Sequence, residues 1–453
     1  MIEFYKKFSS NIVNFGYVTK FHKTAVAVSG GSDSMALLEF TRHWAAEYNI
    51  EIVAITVNHN LRASAVKEVE FVKEFCNSHS IKCFALECSK SELSGNNIQQ
   101  KARLARYQLI TSLCKELKIF QLFTGHHKDD NVENFIMRLL KGSGPLGFGK
   151  NNEYFYNNIR ILRPLHNFRK DECKLYLNSL NVEWIEDDSN YSTKYLRNDI
   201  RITTKSILDK LSVSYDQVID RLSNTQDHYG EVIDIIKKSF INLLAKYCCV
   251  ETIGYAVVNY EAIKLENKYL QNLLLSYLLT IISGKNYLPK SKKIEYIINN
   301  AGEKKNNFFV LHGCRIIFEN DKIFILRELA DILKNTKESH FIKGVVFDNR
   351  FEITFNGKFL SKQDNLTVSH LTVSHLTEKD YQLLKDKIDF SMYFLDTFKY
   401  KKYVIQSLPV LKNGDKVVAI SHSNYYDIEA SYLKNLDIKV SFVANFFSKL
   451  VHY

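Results

Sequence analysis

Ala25-Val26-Ala27-Val28-Ser29-Gly30-Gly31-Ser32-Asp33-Ser34-Met35-Ala36-Leu37-Leu38 decides how the N-terminal part of this chain folds. The apolar run at 25–28 predicts a buried strand and the residues from Met35 onward predict a helix, so Ser29 to Ser34 must form the turn between them. Two adjacent glycines, Gly30 and Gly31, let that turn bend sharply and come close to a ligand. The helix start behind it presents unpaired N–H groups at the positive end of its dipole. Ser29, Ser32 and Ser34 add hydroxyl donors, and a carboxylate among phosphates makes sense for Asp33 as a magnesium ligand. The pattern predicts a phosphate cradle. A plain strand-to-helix turn with a Ser or Asp cap would need neither two glycines nor three hydroxyls. No Gly-Lys-Ser or Gly-Lys-Thr follows, and the spacing is not Gly-x-Gly-x-x-Gly, so two common nucleotide loops are excluded.

Outward from this loop, short β-branched runs alternate with helical patterns as far as about residue 165, the rhythm of a parallel sheet wrapped by helices. Strands are expected at 25–28, 52–57, 82–86, 120–124 and 159–162. Helices are expected at 34–48, 65–78, 98–118 and 129–141. The fold class is therefore α/β with a doubly wound parallel sheet, and ligands belong at the carboxyl ends of its strands. Beyond about residue 206 the spacing predicts helices at 231–247, 260–282 and 291–300, then a hairpin of 314–318 with 322–326. Strands at 351–355, 417–421 and 438–443 around a helix at 378–388 predict a small α+β region. The expected domains are 1–210, a mainly helical 211–335, and 336–453. An exact repeat of Leu-Thr-Val-Ser-His at 366–370 and 371–375 reads as a tolerated duplication in a surface loop.

Further constellations sit where this sheet would place an active site. Asn58-His59-Asn60-Leu61-Arg62 closes the second strand. On the third helix, Ala102-Arg103-Leu104-Ala105-Arg106-Tyr107 sets Arg103 and Arg106 on one face, a pair suited to phosphate or base contacts. Gly125-His126-His127-Lys128-Asp129-Asp130-Asn131-Val132-Glu133-Asn134 opens the fourth helix, with His126, Asp130 and Glu133 spaced along one edge. Paired carboxylates there suit an ammonium group or its proton. Arg163-Pro164-Leu165 and then Asp187-Asp188-Ser189-Asn190 follow, with Arg197 and Arg201 four residues apart.

The chain has 453 residues, 45% hydrophobic and 25% charged, enough for several cores and too apolar for disorder. Lys plus Arg number 61 against 50 acidic residues, and the net charge of +11 divides almost evenly between 1–210 and 211–453. That balance favours a polyanionic partner such as nucleic acid. Residues 1–15 are too polar for a signal peptide, and no stretch approaches the roughly 20 apolar residues of a membrane span. The 8 cysteines form no Cys-x-x-Cys pair and read as reduced thiols of a cytoplasmic protein.

In this order, the motifs resemble those of a known family. Ser-Gly-Gly-x-Asp-Ser is similar to the signature of the PP-loop ATP pyrophosphatases. Together with His-x-Leu-Arg, Ala-Arg-x-x-Arg-Tyr, His-His-x-Asp-Asp-x-x-Glu, Arg-Pro-Leu, and Asp-x-Ser-Asn with Arg-Asn-x-x-Arg, it looks like tRNA(Ile)-lysidine synthase over residues 24–201. The resemblance implies ATP and magnesium as cofactors, free L-lysine, and an isoleucine tRNA with a CAU anticodon. Its first anticodon cytidine is adenylated and then joined to lysine at C2. It also implies roles. Ser29, Gly30, Gly31, Ser32, Asp33 and Ser34 would hold ATP, and Asp33 and Asp130 magnesium. Asp33, Arg106, His126, Asp130 and Glu133 would serve the chemistry, and His59, Arg62, Arg103, Arg163, Arg197 and Arg201 the tRNA.

Three positions depart from the family pattern: Asn60 stands where glycine is usual, Asn134 where threonine is usual, and Asp188 where proline is common. None removes a reactive group, and asparagine tolerates a left-handed backbone better than most residues, so the loop around Asn60 can keep its shape. Three rival readings are a PP-loop tRNA thiolase, which would need a cysteine or cluster system, an inactive PP-loop protein that only binds tRNA, and a small-molecule synthetase. A homodimer is compatible with the chain.

Overall fold

A computed structural model describes the chain except residues 1, 17, 19–21, 59–63, 89–97, 187–198, 201, 205, 207–209, 211–212, 286, 302–307, 336–338, 341–344, 356–370, 395–397, 424, 428–432, 434–437 and 444–453. It divides into two compact units, Met1–Asp234 and Ile235–Leu450.

The first unit is built on six strands: β1 Lys23–Ala27, β2 Glu51–Asn58, β3 Lys82–Glu87, β4 Gln121–Phe123, β5 Glu153–Tyr156 and β6 Ile159–Leu162. Their order in the sheet is β3-β2-β1-β4-β6-β5, parallel except for β5, which pairs antiparallel to β6. The helices of this unit include α1 Ile2–Asn14, α2 Ser32–Tyr48, α3 Ser64–Ser78, α4 Ile98–Glu116, α5 Lys128–Leu140 and α6 Lys170–Ser179. The five expected strands and four expected helices are all present, with ends shifted by one or two residues. From β1 the chain builds outward through β2 and β3, then returns to β4 on the other side of β1. That reversal is the topological switch point of a doubly wound sheet, so ligands belong above the ends of β1 and β4.

α1, α2, α3 and α6 share one core on one face of the sheet, and α4 covers the other face with Tyr107, Ile110 and Cys114. α2 runs through the centre of its layer, so Met35 to Leu38 and Phe40 are all buried. Phe40 stacks on Tyr176 at 3.7 Å and on Phe8 at 5.1 Å, locking α2 between α6 and α1.

Three features of this unit go beyond the sequence expectation. α1 and α6 were not anticipated. β5 was not either, although Asn157 and Asn158 both adopt positive φ and make the two-residue turn that Asn favours in hairpins. The helix expected at 231–247 begins at Tyr215 and ends at Tyr247. Gly230 and the Ser, Asn, Gln and Asp residues before it read as a break, but tertiary contacts override that: Gln226 is buried and its Nε2 donates to the Asn131 carbonyl at 3.2 Å.

In the second unit, the expected hairpin is β10 Cys314–Glu319 with β11 Lys322–Arg327, turning at Asn320. It belongs to a five-stranded antiparallel sheet, β7-β8-β11-β10-β9, with β7 Cys248–Glu251, β8 Tyr255–Asn259 and β9 Phe308–Leu311. The expected middle helices are there too, but 260–282 is two helices, Tyr260–Lys264 and Lys268–Ser283, because the Asn267 side chain caps the second. The sheet beside them is more strand than the sequence suggested. β7 and β8 are short, and their alternation is lost among the flanking helical apolar residues.

Strands β12 Ser339–His340, β15 Thr372–His375, β16 Pro409–Asn413, β17 Lys416–Ile420 and β18 Tyr425–Tyr426 form another sheet, and β13 Val345–Phe347, β14 Phe351–Phe355 and β19 Ile438–Phe442 a third. β15 overturns the surface-loop reading of the second Leu-Thr-Val-Ser-His copy. Leu371 and Val373 are fully buried, and Val373 pairs with Leu411 in the sheet interior. Its Thr-Val-Ser alternation is a strand signal that the repeat obscured. The first copy, 366–370, lies outside the described residues.

Candidate active site

Ser29 to Ser34 leave the end of β1 and run into α2. Gly30 takes φ +87°, a conformation that only glycine adopts without strain. Gly31 is the residue capping α2, and no side chain caps that helix, so the first-turn amides face outward without a side-chain acceptor. The serines brace the loop. Ser34 Oγ donates to the Gly31 carbonyl at 3.0 Å and accepts from the Ser29 amide at 3.1 Å, while Ser32 Oγ donates to Asp33 Oδ1 at 3.2 Å. Ser29 is exposed at the mouth, and Ser32 and Ser34 are buried beneath it.

The loop after β4 closes onto this one. A Cβ on Gly125 would stand 3.1 Å from the Asp33 carbonyl oxygen and 3.2 Å from the Ser34 nitrogen, so any other residue here would press the two backbones apart. His127 then caps α5 in a reciprocal box: its amide donates to Asp130 Oδ2 at 3.1 Å, and the Asp130 amide lies 3.4 Å from Nδ1. His127 is buried, with Nε2 3.5 Å from Asp33 Oδ2 and 3.6 Å from Asp130 Oδ2, and Nδ1 3.5 Å from Asp129 Oδ2. Burial opposes charge on the ring, but Asp130, Asp129 and Asp33 outweigh it and hold His127 well above its ordinary pKa. When the ring is charged, Nδ1 donates to Asp129 and no longer accepts from the Asp130 amide.

Asp129 anchors this arrangement to α6. It accepts from Arg169 Nε at 3.0 Å and from the Lys170 amide at 3.0 Å. Burial alone would raise its pKa. The His127 ring, Arg169 and the Lys170 amide overcome that and hold it at about 2.

Of the residues predicted to act, the structure brings Ser29 to Ser34, Asp33 and Asp130 together around His127. Glu133 is buried on the next turn of α5, and Asn134 is half-buried beside it. His126 sits on the loop just before α5, half-buried, with Nδ1 3.3 Å from Thr124 Oγ1. Arg103 is exposed and stacks over Tyr107 at 5.2 Å, Arg106 is half-buried, and Arg163 is buried over Tyr154 at 5.4 Å. His59, Arg62, Arg197 and Arg201 lie outside the described residues, as do Asn60 and Asp188. His127 and Asp129 were missed. His is an unusual helix cap, so the only available signal was the His-x-x-Asp spacing of a capping box.

Asp33 and Asp130 meet at one imidazole beside an uncapped helix start, a donor set that fits a magnesium ion bound to a polyphosphate. Among the described residues no three His, Cys, Asp or Glu side chains are placed to hold a metal by themselves, so phosphate oxygens would complete its coordination. Cys83 lies on β3 and Cys88 just past its end, bonded through its amide to Asn58.

A family model described as a PP-loop domain matches residues 3–207. The chain is 33% identical to a tRNA(Ile)-lysidine synthase of Orientia tsutsugamushi over 450 residues, 98% of each protein. The chain belongs to the tRNA(Ile)-lysidine synthases. A second member of the family, from Rickettsia felis, is 35% identical over 99% of both chains, so the likeness of this lysidine synthase to its relatives includes the second unit as well as the PP-loop domain. Among solved structures, the U34-tRNA thiolase NcsA from Methanococcus maripaludis aligns over 51% of this chain and 79% of that one, at 18% identity and a TM-score of 0.42. That likeness is too loose to carry an argument. No described helix of this lysidine synthase is long and apolar enough to cross a membrane.

Proposed function

We propose that this chain joins free L-lysine to C2 of the first anticodon cytidine of an isoleucine tRNA with a CAU anticodon, consuming ATP and forming lysidine. The product pairs with A in place of G, so AUA is read as isoleucine. The observation that carries this reading is the convergence of the Ser29–Ser34 loop, Asp33 and Asp130 on His127, in a chain that matches lysidine synthases along 98% of its length.

The cytidine O2 attacks the α-phosphorus of ATP and pyrophosphate leaves. The lysine ε-amine then attacks C2, the C2–O bond breaks, and AMP departs. First-turn amides of α2 and the loop hydroxyls bind the phosphates, where fixed donors cost no reorganisation. Asp33 and Asp130 would hold magnesium, which neutralises charge as it develops on the phosphates. Asp130 and Glu133 grip the lysine ammonium groups, and His126 orients the cytidine or accepts the proton that the attacking amine gives up. Arg106, Arg197 and Arg201 contact phosphate or base, with His59, Arg62, Arg103 and Arg163 on the tRNA. We further propose that residues 211–335 and 336–453 grip the tRNA body through their share of the positive charge.

The test is AMP and pyrophosphate formation with ATP, lysine and that tRNA. AMP release that requires both lysine and the isoleucine tRNA, and that Asp33→Ala abolishes without unfolding the chain, supports the reading. Sulfur incorporation, or no turnover, would sink it.

A further inference from the structure

Three arginines gather around one buried tyrosine pair on the α4 side of the sheet, and a fourth lies within electrostatic reach of one of them. Tyr107 on α4 and Tyr154 on β5 lie edge to face at 6.4 Å. Arg103 covers the first ring and Arg163, immediately after β6, covers the second. Arg106 lies on α4 one residue before Tyr107, and Arg138, near the end of α5, feels the charge of Arg163. Among the described residues no carboxylate forms an ion pair with any of the four, and none of the four guanidinium groups has a hydrogen bond. Arg163 is only 4% exposed, yet its Nε, like that of Arg106, is buried with no acceptor.

Buried charge without a partner is costly. Guanidinium groups within electrostatic reach of one another add repulsion to lost hydration. Burial, and then Arg163, depress the pKa of Arg138, while burial, and then Arg103, depress that of Arg106. Burial tends to raise the pKa of Tyr107, but the surrounding arginines reverse the direction and lower it. Such an arrangement is explained by an anion that fills it during the working cycle. Tyr107 and Tyr154 belong to the core on the face covered by α4, whereas α2, which carries the phosphate cradle at its start, covers the other face. Forked donors over aromatic rings suit a phosphodiester beside a nucleobase.

We infer that Arg103, Arg106, Arg138 and Arg163 form one phosphate subsite that takes a phosphodiester of the RNA substrate, separate from the loop that takes ATP. The inference rests on the proposed tRNA reaction and adds Arg138 to it. The alternative source of the same chemistry is a phosphate of ATP itself.

The experiment compares the full chain with Arg138→Met, which keeps the unbranched stem of a half-buried side chain and removes its charge. Three quantities are measured: the melting temperature with inorganic phosphate against chloride at equal ionic strength, the salt dependence of affinity for the unmodified CAU isoleucine tRNA, and the Kd for ATP. The subsite predicts that phosphate raises the melting temperature of the wild type more than that of the variant. It also predicts that the variant is at least as stable without phosphate. tRNA affinity should drop about tenfold, with the log–log salt slope reduced by about 1, while ATP binding holds. An unchanged salt slope overturns the subsite. Equal losses for ATP and tRNA overturn its assignment to RNA. Wild-type protein that binds tRNA with the expected salt dependence but forms no AMP with lysine would overturn the proposed reaction and leave the subsite standing.

Discussion

His127 joins the two halves of the proposed phosphate site. Its Nε2 stands 3.5 Å from Asp33 Oδ2, in the first turn of α2, while its backbone caps α5 beside Asp130. The segments that follow two neighbouring strands therefore share one side chain at the switch point. His127→Asn keeps a competent helix cap and loses the reach to Asp33. We expect AMP formation to fall roughly 10–100-fold, the usual cost of removing a partner that orients catalytic carboxylates. The stability loss should stay within about 1–3 kcal/mol by urea titration. Full turnover in this variant would show that the contact with Asp33 is idle.

Gly125→Ala pushes a methyl group against the Asp33 and Ser34 backbone, which cannot rotate away as a side chain could. The expected result is a raised KM for ATP and a loss of about 1–3 kcal/mol. Gly230→Ala is the contrasting case. Gly230 is inside a helix, and a Cβ there meets nothing within 4 Å. That substitution should stabilise by about 0.5–1 kcal/mol and leave catalysis alone. Equal effects of the two changes would refute the close-approach argument.

Phe40→Ala removes the ring that stacks on Phe8 and Tyr176 and touches Phe168 at 5.2 Å. A loss of about 3–5 kcal/mol is expected in denaturant unfolding. Because Phe40 supports the helix that carries Asp33, ATP affinity should weaken in the same variant. A stable variant with normal ATP binding would show that the α2 layer repacks.

His422 is buried with its ring edge against Phe351 at 5.5 Å. Burial, and then the charge of Arg350, push its pKa down to about 4. The unfolded chain takes up this proton near 6.5 and the folded chain only near 4. The stability gained from the neutral ring is therefore complete above about 6.5 and is lost as pH falls towards 4, on the order of 3 kcal/mol in all. Urea midpoints at pH 4.5 and 7 should converge in His422→Leu. An undiminished pH dependence there would assign the effect to other groups.

The local rules of chain geometry determined much of this protein without help. Two glycines between an apolar strand and an apolar helix dictate the turn at 29–34, and alternating strand and helix periods dictate the order of the sheet's elements. The residue types of the proposed phosphate loop, and the carboxylates at 130 and 133, stand out in the sequence for the same reason: the chemistry proposed for them is carried by the residues themselves. The role of His127 was not legible. A histidine acquires it only when β4 is laid beside β1, a pairing between residues far apart in the chain. Arg138 is similar. On α5 it reads as an ordinary solvated charge, and only packing brings it within electrostatic reach of Arg163 with no ion pair to a carboxylate among the described residues. The second Leu-Thr-Val-Ser-His copy became a core strand because β16 was available to pair with it. Periodicity reports which face of an element is apolar, whereas the partner that buries that face, and the charges left unpaired by doing so, are settled only when the elements assemble.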